Sequence, residues 1–233
     1  MNMNRDRSLL YPLEAKIDLQ SVMRQVYVWM TLGLLLTAGV SFLTLSTPLI
    51  RLAANPAALM VAIIAELGLV LGLSFLFNRI SAATAAVLFF TYAALNGFTL
   101  ALLLLAYTLG SVFTAFAATA ALFAAMSIVG YTTKVDLSKM GTFLMMGVLG
   151  LIIAMVVNIF LASGPLDFII SLAGVLIFTG LTAYDTQRIG RMAAQTTGTG
   201  DAAAKIGIFG ALRLYLDFLN MFLFILRLVG RRR

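Results

Sequence analysis

Long apolar segments separated by short polar connections dominate the pattern along the chain. Residues 25–50 contain no charge, and residues 56–78 contain only one, Glu66. Residues 80–133 form a further stretch of 54 uncharged residues. As a single helix, this stretch would be about 81 Å long, whereas the hydrocarbon core of a bilayer is ~30 Å thick. The stretch therefore predicts two membrane-spanning helices rather than one.

Turn-forming residues divide the remaining apolar sequence into spans. Residues 108–111 (TLGS) predict the break within the long uncharged stretch, and residues 163–165 (SGP) predict a tight turn. The sequence therefore predicts an all-α membrane protein with seven transmembrane helices, at about residues 25–50, 56–78, 82–106, 112–131, 141–162, 166–187 and 206–228. Residues 1–24 are expected to form a cytoplasmic lead-in, residues 25–228 the membrane domain and residues 229–233 a basic tail.

The composition excludes several classes of protein. Hydrophobic residues make up 62% of the chain and charged residues 11%, well below the charged content of a soluble domain. The chain has no Cys and no His, which removes thiolate nucleophiles and nearly every zinc or haem site. No nucleophile–base set and no phosphate-binding loop is found in the sequence. We therefore expect no enzymatic activity and no cofactor.

Basic residues are distributed unevenly around the predicted spans. Although the formal net charge is +7, these residues flank apolar segments and form no patch typical of nucleic-acid binding. Over the first six spans, ten Lys and Arg residues fall on the side of the N-terminus and only Arg51 on the other. This asymmetry predicts a cytoplasmic N-terminus. The last segment ends in Arg227 and a basic tail. If this segment crosses the membrane, these basic residues lie on the side opposite the cytoplasm and violate the charge asymmetry. The apolar length of the segment nevertheless favours crossing over re-entry.

Three acidic residues fall within or at the rim of predicted spans: Glu66, Asp185 and Asp217. A charge at the centre of a membrane helix costs about 2.5–3.5 kcal/mol even on insertion scales, so such positions are functional candidates. Asp185 and Asp217 are expected at similar depth on adjacent helices. Two carboxylates in contact cannot both ionise cheaply, so such a pair would exchange protons as a unit and let a chain without His sense pH.

Each of these acids also has a purely structural interpretation. Asp185 lies three residues before Arg188 and Asp217 four residues after Arg213, so each acid is spaced for an ion pair within its own helix. Glu66 can be protonated and hydrogen-bonded inside the bundle. Charge placement alone leaves these alternatives open.

Several sequence motifs carry a family resemblance that covers nearly the whole chain after the lead-in. The motifs are LTAYDTQRI (181–189), LYLDFLNMFLFILR (214–227), GYTTKVDLSKMG (130–141), MVVNIFL (155–161) and VYVWMTLGLLLTA (26–38). Together they resemble the transmembrane Bax inhibitor motif family, most closely its small bacterial inner-membrane members. The resemblance implies a multi-pass protein of the cell inner membrane.

The resemblance also implies an architecture and an activity. The family's fold is a seven-helix bundle in which the last helix is central and surrounded by helices one to six. Its activity is a pH-sensitive calcium leak, whose sensor by motif match is Asp185 with Asp217. These two are also the candidate calcium ligands, and Arg79 matches by position a basic residue that engages Asp185. Glu66, singled out by its charge within a predicted span and not by the resemblance, is the pore candidate.

Two other functions stay open at this stage. A regulatory protein that binds a membrane protease or another partner needs only surfaces, and a proton-coupled permease also uses intramembrane carboxylates. The expected ligands of the leading hypothesis are calcium and protons, within a lipid bilayer. We expect a monomer.

Overall fold

The computed structural model describes residues 18–76, 79–195 and 200–231, and within them the chain forms eight α-helices and no strand. The helices are α1 (Leu19–Ser46), α2 (Leu49–Ala53), α3 (Pro56–Leu76), α4 (Ala82–Leu105), α5 (Leu109–Thr132), α6 (Ser138–Leu161), α7 (Gly164–Gln195) and α8 (Gly200–Val229). The lead-in predicted for residues 1–24 lies largely outside the described residues.

In the described part of the chain, seven helices, all except α2, are long and apolar enough to cross a membrane. The predicted all-α, seven-span fold class is therefore confirmed. The break expected in the long uncharged stretch is found between α4 and α5. There Thr108 accepts a hydrogen bond on its hydroxyl oxygen from the backbone N–H of Ser111 (3.3 Å). A side-chain acceptor at this position satisfies a free N–H of the first helical turn, so α5 begins here.

The short helix α2 was not predicted. Pro48 precedes it with φ −58°, a value already suited to a helix start. The helix ends at Ala53, which is fully buried. It packs against α1, α3 and α4 and so connects the first two spans along the edge of the bundle.

Helices α7 and α8 extend further than the sequence pattern indicated. The predicted span ended at residue 187, whereas α7 continues to Gln195, because Ile189 and Ala193 keep its buried stripe going for two more turns. At the other side, α8 begins at Gly200 rather than at residue 206, and Ile206 is already buried. Most of the polar connection predicted for residues 188–205 is therefore helical.

The two ends of the bundle differ because successive spans alternate in direction. Leu19 at the start of α1 contacts Gly190 in the last turns of α7, and we call this the Leu19 end. At the opposite end, the backbone N–H of Arg231 donates to the Ser111 hydroxyl (2.9 Å), and the Arg231 carbonyl accepts from Thr108 (3.2 Å). We call this the Val229 end. Helix α8 thus runs the full length of the bundle without turning back.

Helix α8 is the most buried of the spans. Of its apolar stretch, 72% is buried, against 11% in α3 and in α6. It packs mainly on α7, α1, α5 and α4, while α3 packs mainly on α4 and α6 mainly on α7. The helix is thus the core of the fold, but the expected ring of all six other spans around it is not confirmed.

Two pairs of helices approach closely through glycine. A Cβ atom at Gly130 of α5 would overlap the backbone of Ala183 in α7, and a Cβ at Gly97 of α4 would overlap the backbone of Thr37 in α1. Small residues at such crossings allow helix backbones to come together in a membrane. The close crossing of α5 on α7 lies two residues from Asp185 and therefore helps to fix the position of that acid.

Candidate functional site

The largest helix–helix contact in the described chain, between α7 and α8, brings two acids into the interior. Asp185 is 6% exposed and Asp217 is 4% exposed. Each lies on a stripe of its helix that is otherwise filled by buried apolar and small residues. The two predicted sensor residues therefore lie on adjacent packed helices, inside the bundle.

An arginine from α8 reaches across to the acid on α7. The Arg213 Nη1 atom lies 3.1 Å from Asp185 Oδ1, an ion pair in which both groups are mostly shielded from solvent. The same guanidinium lies over the Phe209 ring, 4.8 Å from its centroid. Neither local pair suggested by sequence spacing forms among the described residues, since Arg213 contacts Asp185 and Arg188 donates to the Tyr184 hydroxyl (3.3 Å).

The second acid has fewer partners. Among the described residues, Asp217 Oδ2 is buried and has no hydrogen-bond partner. It interacts electrostatically with Asp185, which repels it, and with Arg213, which attracts it. The site therefore contains two carboxyl groups and one arginine that forms an ion pair with one of them. It is electrically neutral only when one of the two acids keeps a proton.

The other two predicted site residues lie elsewhere. Arg79 is exposed after the end of α3, at the Leu19 end, and it forms no ion pair with Asp185 within the described residues. Glu66 lies halfway along α3, where its Oε1 atom accepts a hydrogen bond from the Thr99 hydroxyl of α4 (2.8 Å). In this structure the arginine beside Asp185 is Arg213, whereas the sequence predicted Arg79 in that place.

Two cavities lie nearer the Val229 end, and their lining residues do not include Asp185, Asp217 or Arg213. The first, of about 430 Å³, is lined by Glu66, Tyr92 and Asn220, and Asn220 lies one turn along α8 from Asp217. The second, of about 740 Å³, is lined by Asp167 and Arg227. Met155 of α6 lines both cavities, and its sulfur lies 3.9 Å from Arg227 Nη1.

Comparison with known proteins identifies the family. Residues 19–233 match the family described as "Inhibitor of apoptosis-promoting Bax1". The chain belongs to this family. The resemblance to Bax inhibitor proteins seen in the motifs is therefore confirmed.

Bacterial proteins match this chain over nearly their whole length. The chain is 43% identical to the inner membrane protein YbhL of Escherichia coli K12 over 232 residues, which is 98% of each chain. It is 46% identical to an uncharacterized protein of Deinococcus radiodurans over 216 residues, 92% of each. With seven apolar helices of spanning length, this chain is a membrane protein of the Bax inhibitor family.

Sequence reasoning missed a polar clamp in this family member. The Gln187 side chain of α7 donates to the Val135 carbonyl (2.8 Å) and accepts from the Leu137 N–H (2.9 Å). One turn further along α7, Arg191 pairs with Asp136 (2.6 Å). The spacing of Gln187 and Arg191 places both on one face of α7 and could have indicated a shared contact. Their partners, however, lie 50 or more residues away in sequence.

The clamp contains an exposed ion pair supported by hydrogen bonds from Ser138. The backbone N–H and hydroxyl of Ser138 and the guanidinium of Arg191 all donate to the Asp136 carboxylate, and together they lower its pKa to about 2. Asp136 therefore stays charged at any physiological pH. The clamp ties the α5–α6 loop to the helix that carries Asp185, two residues from Gln187.

The described residues contain no group of three or more acidic side chains arranged to hold a metal ion. Calcium prefers six to eight oxygen ligands. Two carboxylates therefore supply only part of a coordination shell. The assignment of Asp185 and Asp217 as calcium ligands stays a prediction.

Proposed function

We propose that the protein is a pH-sensitive calcium leak channel of the bacterial inner membrane, gated by a proton that Asp185 shares with Asp217. The proposal rests on one observation above all: two buried carboxyl groups lie on packed helices, and Arg213 forms an ion pair with only one of them, Asp185. Family membership and the seven apolar helices support the membrane setting. The proposed activity requires no cofactor and no enzymatic step.

The shut state follows from the charges at the site. With Asp185 ionised and paired to Arg213, a proton on Asp217 makes the set of three groups neutral. A neutral set lies in a low-dielectric interior at much lower cost than one with a net charge. Acidic conditions supply this proton and therefore favour the packed arrangement of α7 on α8.

Loss of the proton favours opening. Two ionised acids beside one arginine leave a net negative charge inside the bundle, and the two carboxylates repel each other across the α7–α8 contact. The charge is relieved when the helices separate and admit water and a cation. Carboxylate oxygens suit the hard divalent calcium ion. We therefore expect the leak to rise with pH.

In our proposal the path continues through the cavity that Asn220 lines, one turn along α8 from Asp217. Glu66 and Asn220 line this cavity, and Asp167 and Arg227, near the Val229 end, line the second. In our proposal a cation moves between the acid pair and the Val229 end past Glu66. The N-terminus is cytoplasmic, so the acid pair lies towards the cytoplasm, on the same side as Arg79. In another gating state, Arg79 replaces Arg213 beside Asp185.

Calcium flux tests this proposal directly. Purified protein in liposomes loaded with a calcium indicator is expected to conduct calcium at a rate that increases from acidic to alkaline pH. Asp185→Asn and Asp217→Asn should each flatten that dependence, because a neutral amide removes the repulsion that the second ionisation creates. Asp201→Asn is the matched control, since Asp201 lies on α8 but forms an exposed pair with Lys205.

The result of the flux experiment distinguishes between the candidate functions. If both variants keep the full pH response, the sensor assignment is wrong. If the wild-type protein conducts no calcium at any pH, the leak itself is wrong. A regulatory protein that binds a membrane protease or another partner, or a proton-coupled permease, would then be the better account.

A further inference from the structure

A membrane-exposed groove separates α1 from α5. Both helices pack on α7 and α8, and between them lies a space of about 550 Å³. Its walls are predominantly apolar and aromatic, with a few polar groups towards the Leu19 end. Representative wall residues are Met23, Tyr27 and Met30 of α1 and Phe123, Ser127 and Tyr131 of α5.

The length of the groove matches one leaflet of a bilayer. Its wall on α1 runs from Gln20 to Met30, and the ten residue-to-residue steps between them span about 15 Å of helix. This is half the ~30 Å thickness of the hydrocarbon core. The groove begins at the Leu19 end and stops near the middle of the bundle, so an extended acyl chain of one leaflet fits along it.

A buried hydroxyl lies in the groove at the depth of a lipid ester. Ser127 is 6% exposed, and among the described residues its Oγ atom has no hydrogen-bond partner. It lies five residues before the end of α5 at Thr132, about 7.5 Å below that end. With the helix end among the headgroups, this depth corresponds to the boundary of the hydrocarbon, where lipid ester carbonyls lie.

Positive charge flanks the mouth of the groove. Arg24 lies on α1 between Gln20 and Tyr27, and Lys134 follows the end of α5. Both are exposed, and neither forms a salt bridge within the part of the chain that is described. Such residues attract an anionic headgroup.

We propose that this groove binds one anionic glycerophospholipid of the surrounding leaflet, with an acyl chain between α1 and α5 and an ester carbonyl accepting a hydrogen bond from the Ser127 hydroxyl. The site adjoins the sensor helix, since the Phe123 ring packs edge-on against Phe218, 5.5 Å between centroids. Phe218 is the neighbour of Asp217 in sequence. The proposal goes beyond the proposed leak and does not depend on it.

Photo-crosslinking tests the site. The full chain is reconstituted in phosphatidylcholine vesicles that contain a small fraction of phosphatidylglycerol with a diazirine on its acyl chain. After irradiation, adducts should map to residues 20–30 and 123–132, and unlabelled phosphatidylglycerol should compete better than phosphatidylcholine.

Two tryptophan variants form a matched pair. Ala124 lines the groove and Ala125 does not, although both are exposed alanines of α5. Ala124→Trp fills the groove and should lower labelling there about tenfold, whereas Ala125→Trp should leave it unchanged. Ser127→Ala, which keeps the groove open, should weaken binding about fivefold, the effect of one lost hydrogen bond.

Other occupants give different results, and each would overturn the proposal. Labelling spread evenly over all membrane-facing helices, and equal in both tryptophan variants, indicates ordinary bilayer contact only. A groove that takes up no lipid adduct, in a chain that a bifunctional crosslinker joins into covalent dimers through α1 and α5, indicates a second copy of the chain. Labelling that appears only when Leu9, Leu10 and Leu13 are replaced by Ser indicates that the first 17 residues fill the groove.

Discussion

At the scale of single residues, the pairing of Arg213 with Asp185 is the main departure from what sequence spacing suggested. Spacing of three or four residues identifies possible partners within one helix, and Asp217 satisfies it for Arg213. The choice between that partner and Asp185 depends on how α7 and α8 are rotated against each other. Sequence spacing gives no information about this rotation. It did predict that both acids lie at similar depth on neighbouring spans.

The structure predicts different energetic couplings for two arginines. Arg213→Gln with Asp185→Asn should give a strongly non-additive double-mutant cycle in unfolding free energy, with a coupling of about 1–3 kcal/mol, because each change alone leaves the other charge unpaired. Arg188→Gln, which removes a hydrogen bond to Tyr184 and an electrostatic attraction to Asp185 without an ion pair, should show a much smaller coupling to Asp185→Asn. Chemical denaturation in detergent measures the cycle.

A double-mutant cycle also tests Arg79, but the quantity measured is the leak rate rather than the unfolding free energy. A gating partner shows non-additive effects of Arg79→Ala and Asp185→Asn on calcium flux, whereas a topological anchor tolerates Arg79→Lys and shows additive effects. Additive flux data would exclude the proposed exchange of Arg79 for Arg213. The two-aspartate sensor would not be affected by that result.

At the scale of helices, the sequence pattern located the spans well and their ends less well. The apolar segments and the break at Thr108 were predictable because the hydrocarbon thickness limits helix length. The extension of α7 to Gln195 was not, since its last two turns are polar on one side and are stabilised by contacts with other elements. The clamp of Gln187 and Arg191 on the α5–α6 loop joins parts of the chain that are distant in sequence.

Close packing of α5 on α7 should be sensitive to a single methyl group. Gly130→Ala places a Cβ against the backbone of Ala183, which cannot move aside as a side chain would. We expect a loss of about 1–3 kcal/mol in unfolding free energy. Gly150→Ala is the control, because a Cβ there contacts nothing within 4 Å. Equal stability of the two variants would contradict the close crossing.

The clamp on the α5–α6 loop should not respond to physiological pH. Because the Asp136 pKa is about 2 in the folded protein, against about 3.9 in an unfolded chain, its contribution is complete above pH ~4 and is lost as pH falls towards 2. A spin label on Val135→Cys should therefore keep one mobility from neutral to mildly acidic pH. Asp136→Asn should raise the mobility throughout that range.

The same clamp variant separates two sources of pH dependence. In calcium flux, Asp136→Asn should keep the midpoint of the pH response, because Asp136 does not change charge near neutral pH. A shifted midpoint would assign part of the sensor to the clamp. Increased Val135 mobility in the wild type between neutral and mildly acidic pH would contradict the low pKa.

At the scale of the whole molecule, the direction of each span follows from the order of helices, whereas their orientation in the membrane follows from charge alone. The Leu19 end carries Arg79, Lys134 and Lys139, together with the basic residues of α7. The Val229 end carries Arg51, Arg227 and Arg231. The sequence predicted this division for the first six spans, but the course of the last span required contacts at both of its ends.

Cysteine labelling tests the orientation in a chain without native cysteines. A cysteine at Thr197, between α7 and α8, should react with an impermeant maleimide only from the cytoplasmic face. A cysteine at Ser163, between α6 and α7, should react only from the opposite face. Intact cells and inverted vesicles distinguish the two. Labelling of both positions from one face would contradict the seven-span topology.

The burial of α8 has a consequence for biogenesis. Synthesis runs from the N-terminus, so the helix that forms the core of the bundle is the last of the eight to leave the ribosome. Until it arrives, α1, α4, α5 and α7 lack the partner on which they pack, and Asp185 lacks Arg213. An unpaired charge in a membrane helix costs about 2.5–3.5 kcal/mol. We therefore expect nascent chains that stop before Gly200 to leave Asp185 without its ion-pair partner and to be less stable in the membrane than the full chain.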